Sequence, residues 1–245
     1  MRQTHNNNNT GEPVISFLAM RESLHGLSTI LRTRSTMTTS TLDRRNISPD
    51  TLEKLRSTVI DLFSQGLFHK VGIREIAKQA QVGPQTIYKY FGNKDELIFA
   101  CIRPDLDRMN QTLNQTLADC EGNALEKLRV LIGSFVGYYL RHRRLAEIVY
   151  LTIPARQWVV DQEFTQHETL RIFINILKLG QQEGCIRRDA NAEELVDLMA
   201  GAFGRYITRK LANPEPVNID AECDHLYALA EPLFKSAHPP TTTAP

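Results

Sequence analysis

The sequence predicts an all-α protein, and three observations carry that expectation. Apolar residues recur at intervals of three and four through most of residues 48–237. No stretch alternates apolar and polar residues as a half-buried strand does. Residues that start or stop helices stand at the ends of the periodic segments. Short helices crowd the first part of this region, and longer ones follow.

The first helix starts at Ser48, a good N-cap, with Pro49 at the first helical position and Asp50 favouring the positive helix start. Leu52, Leu55, Val59, Leu62 and Phe63 give its apolar face, and Gly66 is its expected stop. A second helix carries Ile73, Ile76, Ala77 and Ala80, with a weak cap at Gly72. Gln81, Val82 and Gly83 form a tight turn, with Val82 filling the angle between helices. Pro84 opens the third helix, where Ile87 and Phe91 face inward, so Gln85, Thr86, Tyr88, Lys89 and Tyr90 fall on exposed or edge faces. Asn93 caps the fourth helix with Glu96 as capping-box partner. That helix runs through Leu97, Ile98 and Cys101, meets Pro104, where a break or kink is expected, and resumes through Leu106, Met109, Leu113 and Leu117.

The fifth helix is expected over Ala124–His142, with Leu125, Leu128, Leu131, Ile132, Phe135 and Tyr139 on its inner side. A shorter sixth spans Leu145–Ile153 and ends at Pro154; the seventh lies within Gln157–Glu183 and stops at Gly184. Asn191 caps the eighth, with Glu194 as capping-box partner, and it continues to about Leu211; the ninth starts near Asp220.

The ends differ in composition. The chain opens with an asparagine run, Asn6 to Asn9, followed later by a Ser/Thr-rich stretch from Thr33 to Thr41, and closes with the Pro/Thr-rich segment His238–Pro245. Such segments cannot bury enough apolar surface to hold a fold. Val14–Leu31 is weakly amphipathic, and Met37 is a candidate start that would make residues 1–36 dispensable and leave a short arm with Arg44 and Arg45.

The string from Ser48 to Leu97 resembles the DNA-binding domain of the TetR/AcrR family of transcriptional regulators. The residues that carry the resemblance are Ile76-Ala77, Ala80, Val82, Thr86-Ile87-Tyr88, Tyr90-Phe91 and Lys94-Asp95-Glu96-Leu97. Two residues depart from the family's usual string: Gln81 stands where a turn Gly is common, and Gly83 where a capping Ser or Thr is common. The first implies backbone strain and the second the loss of a cap worth roughly 1 kcal/mol. The resemblance implies a division into a disordered extension over 1–45, a helix-turn-helix DNA-binding domain over 46–96, a helical ligand-binding and dimerisation domain over 97–237, and a disordered tail over 238–245.

Side-chain chemistry assigns roles within the head. Lys94 and the hydroxyls of Thr86, Tyr88 and Tyr90 suit phosphate oxygens, which set register without reading sequence. Arg74, Gln85 and Lys89 suit base edges, since Gln pairs with adenine and Lys or Arg with guanine, and Pro84 suits a thymine methyl. The resemblance places base contacts at the same positions. The alternative for Arg74 and Lys89 is a solvated surface charge, and for Tyr88 a packing role.

Charge is divided in the sense expected of a chain that meets DNA at one end. Residues 41–104 hold 10 Lys and Arg against 7 Asp and Glu, while residues 105–245 hold 15 against 19. The four cysteines, Cys101, Cys120, Cys185 and Cys223, are scattered, which argues against a zinc site or a disulfide framework. No apolar run approaches the ~20 residues a membrane span needs, and no cleavage site follows the short apolar stretch Val14–Met20. No HExxH, no paired ExxH, no phosphate loop and no nucleophile elbow is present, so an enzyme on a helical bundle finds no support. No cofactor or membrane partner is expected, and a cytoplasmic location is.

The resemblance extends loosely to the C-terminal part, through the junction Gly180–Asp189 between the seventh and eighth helices. It implies that the last two helices form a homodimer interface, for which the stripes are Leu195, Leu198, Met199, Ala202 and Phe203 on one helix and Leu226, Leu229 and Leu233 on the other. A dimer puts two recognition helices about 34 Å apart and so demands a palindromic double-stranded operator. The resemblance also implies a small-molecule effector held among the fourth to seventh helices, with Phe135, Tyr138, Tyr139, His142, Trp158 and Phe173 as candidate contacts. Arg141, Arg143 and Arg144 are alternatives for an acidic ligand, or else partners of a helix C-terminus. The function implied is a repressor released from its operator by that ligand.

Overall fold

The structure, a computed structural model, describes residues 47–64, 71–154, 166–213 and 218–237. All of them belong to the second of the chain's two compact units, residues 43–245. The expected N-terminal extension, the C-terminal tail, Gly66 and Trp158 lie outside the described residues. Those described are helical, and their extended pairing is limited to one isolated bridge between Ile186 and Lys235.

Helix α1 (Pro49–Phe63) begins as expected, with the Ser48 hydroxyl accepting from the Thr51 N–H at 3.2 Å. It buries Leu55, Val59, Leu62 and Phe63. Helices α2 (Ile73–Gln79) and α3 (Pro84–Phe91) follow, and α4 (Lys94–Ala118) is capped by Asn93 Oδ1, which accepts from the Glu96 N–H at 2.9 Å.

Helix α4 continues through Pro104, so of the break or kink expected there the break does not occur. A proline inside a helix costs about 3 kcal/mol through a lost hydrogen bond and a ring clash. Against that, Ile98, Cys101 and Ile102 before it and Leu106, Met109 and Leu113 after it are all buried, at roughly 1.5–3 kcal/mol for each large apolar side chain. Both halves of α4 are therefore held to the same core. Asp105, next to the proline, is gripped by Arg56 of α1 at 2.7 Å, and its backbone carbonyl accepts from the Tyr138 hydroxyl at 3.0 Å.

Helix α5 (Ala124–Arg141) is central, packing on α4, α7 (Gln166–Glu183), α8 (Ala192–Ala212) and α9 (Ile219–Phe234). Capping boxes start α5, with Asn123 and Glu126, and α8, with Asn191 and Glu194 as expected. The expected sixth helix divides. A short α6 (Arg143–Glu147) leads into a π turn over Ile148–Thr152, closed by the Ile153 N–H on the Ile148 carbonyl at 2.9 Å.

Helix α7 stops at Gly184, which takes the left-handed φ of 79°, while the Cys185 N–H returns to the Gly180 carbonyl at 3.0 Å. Gly180 has a second reason to lack a side chain: a Cβ there would run into Ile186 and stand 3.1 Å from that of Ala124. Helices α8 and α9 are clamped through Glu222, which accepts from Lys210 at 2.7 Å and from the Tyr206 hydroxyl. Those two donors hold the Glu222 carboxyl below its ordinary range.

The turn between α2 and α3 is a Schellman cap. The Val82 N–H reaches the Ala77 carbonyl at 2.9 Å, the Gln81 N–H reaches Lys78 at 3.3 Å, and Gln81 adopts a φ of 55°. That conformation costs an L-residue roughly 1–2 kcal/mol that glycine avoids. Gln81→Gly is therefore expected to stabilise the protein by about 0.5–1 kcal/mol, after glycine's own entropic cost. A urea midpoint that rises at unchanged slope confirms this; a lower midpoint shows that Gln81 makes compensating contacts.

Candidate nucleic-acid interface and effector cavity

Helix α3 owes its orientation to two residues. Ile87 and Phe91, one turn apart, are buried against the rest of the head, and Gly92, with a φ of 75°, ends the helix. The remaining face follows from helical geometry: Pro84, Gln85, Tyr88 and Lys89 are exposed, with Tyr88 at 52%, while Thr86 and Tyr90 are half-buried. Gly83 offers no side-chain cap, so the first turn rests on the Thr86 N–H to the Gly83 carbonyl at 2.9 Å, with Pro84 preset for helix. Arg74, in the first turn of α2, is exposed. The Lys89 ammonium lies 5.1 Å from the Tyr90 ring centroid, a cation–π contact that steadies both residues at the end of α3.

Lys94 differs from the others. Its ammonium donates to the Val71 carbonyl at 3.3 Å and is half-buried, so it ties the start of α4 to the segment entering α2. A cation at a helix N-terminus opposes the helix dipole, and the carbonyl offsets that.

The body contains a cavity of about 370 Å³ between α4, α5, the π turn, α7 and α8. That volume lies within the ~300–1,000 Å³ of small-molecule sites. Of the residues expected there, Phe135 and Tyr139 line it. Phe173 lines a smaller neighbouring cavity of about 40 Å³, again with Phe135, whose ring meets it edge-on at 5.6 Å.

Tyr138 and His142 belong elsewhere. They stack on each other at 4.0 Å on another face of α5, where Tyr138 bonds to Asp105 and the His142 ring sits 2.9 Å from the Tyr138 carbonyl. The reason is the helical period, which groups 135 with 139 and 138 with 142 on different faces. The arginines offered for an acidic ligand are also engaged within the chain: Arg141 with Asp220, Arg143 with Glu147 and Arg144 with Asp61, at 3.0, 2.9 and 2.6 Å.

Most of the cavity wall went unnamed at the level of sequence. Met109, Val149, Tyr150, Ile153, Leu170 and Arg205 are its main further contributors, and five of them are apolar or aromatic types that carry no local signal to separate a cavity wall from core. Burial, with Tyr139 close by, pushes the Tyr150 phenol well above its ordinary range, so it stays a proton donor. Thr169 also lines the wall, its hydroxyl donating to Asn110 at 2.6 Å.

The two expected dimer stripes split. Leu195, Met199, Phe203 and Leu226 are buried in this chain's own core. Leu198 and Leu229 stand 60% and 62% exposed, with Ala202 and Leu233 also exposed. Residues four apart, such as 195, 199 and 203 or 229 and 233, share a side, while those three apart, 195 and 198 or 226 and 229, divide between core and outside.

Comparison with known proteins agrees with this architecture. A family model described as bacterial regulatory proteins, tetR family, matches residues 57–101, from within α1 to the first part of α4. Residues 57–101 thus carry the segment that the tetR family model describes. A relative from Bacillus subtilis (strain 168), the fatty acid metabolism regulator protein, is 22% identical over 166 residues, which is 66% of this chain and 84% of that one. Two solved structures share the fold. The fatty acid degradation regulator FadR from Bacillus halodurans has a TM-score of 0.64 and 16% identity, covering 76% of this chain and 96% of that one. FadR from Bacillus subtilis in complex with stearoyl-CoA has a TM-score of 0.60 and 19% identity, covering 73% and 96%. The protein is a DNA-binding transcriptional regulator. Among its described residues, no helix is long and apolar enough to cross a membrane, and no group of three or more His, Cys, Asp or Glu could hold a metal ion.

Lys94→Met keeps the aliphatic stem and deletes the ammonium. It should lower stability by about 1 kcal/mol, the lower side of a charge-assisted bond because the site is partly open to water. An unchanged urea midpoint would show that the Val71 contact contributes nothing.

Proposed function

We propose that this regulator is a homodimeric repressor that reads a palindromic operator and leaves it when a small, largely apolar molecule enters the body. The observation that carries the reading is the course of α4. It starts beside α3 at Lys94 and passes into the cavity wall at Met109, so one rigid element serves both the head and the cavity. The head then corresponds to residues 46–96 and the body to 97–237, meeting within α4, with 1–45 and 238–245 as flanking segments.

In this reading, Gln85, Lys89, Arg74 and Pro84 meet base edges, and Thr86, Tyr88, Tyr90 and Lys94 meet the backbone. Exposed Leu198, Ala202, Leu229 and Leu233 form the contact between subunits, since bare leucines on two adjacent helices lose water only against a partner. The effector sits against Phe135 and Tyr139. A stearoyl-CoA complex among the similar structures makes a long-chain acyl thioester the first effector to try. The protein acts where the chromosome is, in the cytoplasm.

Selection of bound sequences from a randomised double-stranded DNA pool tests the reading. A palindromic consensus supports a dimer that reads sequence; an asymmetric half-site alone overturns the dimeric part. In the same assay, Gln85→Ala should relax preference at one base position in each half-site, costing ~1–3 kcal/mol of discrimination. An unaltered consensus removes Gln85 from base readout. Leu198→Glu and Leu229→Glu should each yield monomers by sedimentation at micromolar concentration, because each buries an unpaired charge in the contact. If both remain dimeric, the interface lies on another face.

A further inference from the structure

The π turn Ile148–Thr152 touches the cavity on one side and the DNA-binding head on the other. Val149 and Tyr150 from the turn, and Ile153 just after it, line the cavity. Thr152 faces away and is buried, its hydroxyl donating to the Phe63 carbonyl of α1 at 2.7 Å. Phe63 is the last residue of α1, so the bond fastens the turn to the C-terminal end of that helix. A residue next to the cavity wall is thus bonded directly to the backbone of the head. A second tie stands just upstream, where Arg144 of α6 pairs with Asp61 of α1 at 2.6 Å, although both side chains are mostly in water and that pair contributes little.

We infer that Thr152 is a positioning residue through which the cavity controls the head, by a path that enters α1 directly and is separate from α4. This rests on the proposal that the cavity is the effector site. The physical basis is the register of the turn. A π turn closes bonds five residues apart where an α-helix closes them four apart, and such turns are short and rare because their geometry is poor. The segment has few ways to continue, since Pro154 follows at once. Relaxing the turn to α register rotates Thr152 by one residue's step, ~100°, and carries its hydroxyl off the Phe63 carbonyl.

An occupant pressing on Val149 and Tyr150 acts on this turn and not on a stiff helix. Tyr150 has little room to yield toward α8, because a Cβ at Gly204 would already lie 3.3 Å from its ring. Tyr139 closes another side, edge-on at 5.1 Å. Pressure from the cavity is therefore passed along the turn toward Thr152.

The test is a double-mutant cycle on operator affinity in the full chain, using the consensus selected above and a cavity filler in place of a ligand. Leu170 lines both the main cavity and its smaller neighbour, so Leu170→Trp puts bulk into that space without altering any residue of α1, α3 or the π turn. Leu170→Trp alone should weaken operator binding about tenfold, within the range usual for coupled sites. In a Thr152→Val background, which keeps the shape and deletes the hydroxyl, the same change should weaken it less than twofold. Thr152→Ser, which restores the hydroxyl, should bring back the full effect. Equal losses in the Val and wild-type backgrounds overturn the Thr152 path while leaving cavity control intact. A folded Leu170→Trp protein that binds the operator like wild type instead overturns the cavity as the controlling site, and this inference with it. Unfolding midpoints of every variant separate these outcomes from loss of the fold.

Discussion

Helix α4 has to satisfy two sets of neighbours along one face, and the rest of the molecule is arranged around that constraint. Its first turns, with Leu97, Ile98 and Ile102, close the base of the helix-turn-helix; its later turns, with Leu106, Met109 and Leu113, close the body. Because these residues lie on one continuous apolar stripe, the helix holds through Pro104 at the cost of a single backbone bond. The Arg56–Asp105 pair and the Tyr138 bond to Asp105 then fix α1 and α5 to the same point. One residue beside the proline is thereby held by two other helices.

Rigidity in α4 contrasts with the segment from Arg143 to Pro154. There the backbone passes from a five-residue α-helix into a π turn and then a proline. The segment is irregular yet packed, with Leu145, Ala146, Ile148, Val149 and Thr152 buried. The molecule places its stiffest and its least regular elements on opposite sides of one cavity, and both reach the DNA-binding head. In the proposed reading, that pairing carries a change in the cavity to α1 and α4 together. From α6, Arg144 pairs with Asp61 of α1, and Arg143 donates to the Leu211 carbonyl of α8.

The recognition surface is built economically. Two buried residues, Ile87 and Phe91, and two left-handed positions, Gln81 and Gly92, set where α3 lies, and every other side chain of that helix is left to face outward or stand at its edge. The turn tolerates Gln81 because the Schellman bonds from Gln81 and Val82 satisfy carbonyls of α2 that would otherwise be open. Lys94 joins this arrangement through Val71, which makes it part of the scaffold of the head as well as a cation near its surface.

The sequence by itself determined most of the helices, several of their caps and the likeness of the head to the TetR family. Ser48, Asn93, Asn123, Asn191 and Gly184 act locally, through bonds to backbone groups within a few residues, so their effect is visible without tertiary contacts. Inward positions such as Ile87 and Phe91 were legible because a short helix at a domain surface has one buried face. What only the tertiary structure decided was which of several possible neighbours each apolar residue met. Pro104 was outweighed by burial on both sides of it, a sum that local propensity does not contain. The α5 aromatics divided between cavity and core by a rotation of one residue, and the stripes on α8 and α9 divided between core and surface in the same way. The π turn, and with it the contact from Thr152 to Phe63, was illegible because no local signal distinguishes π from α register; packing against α1, α5 and α8 selects it.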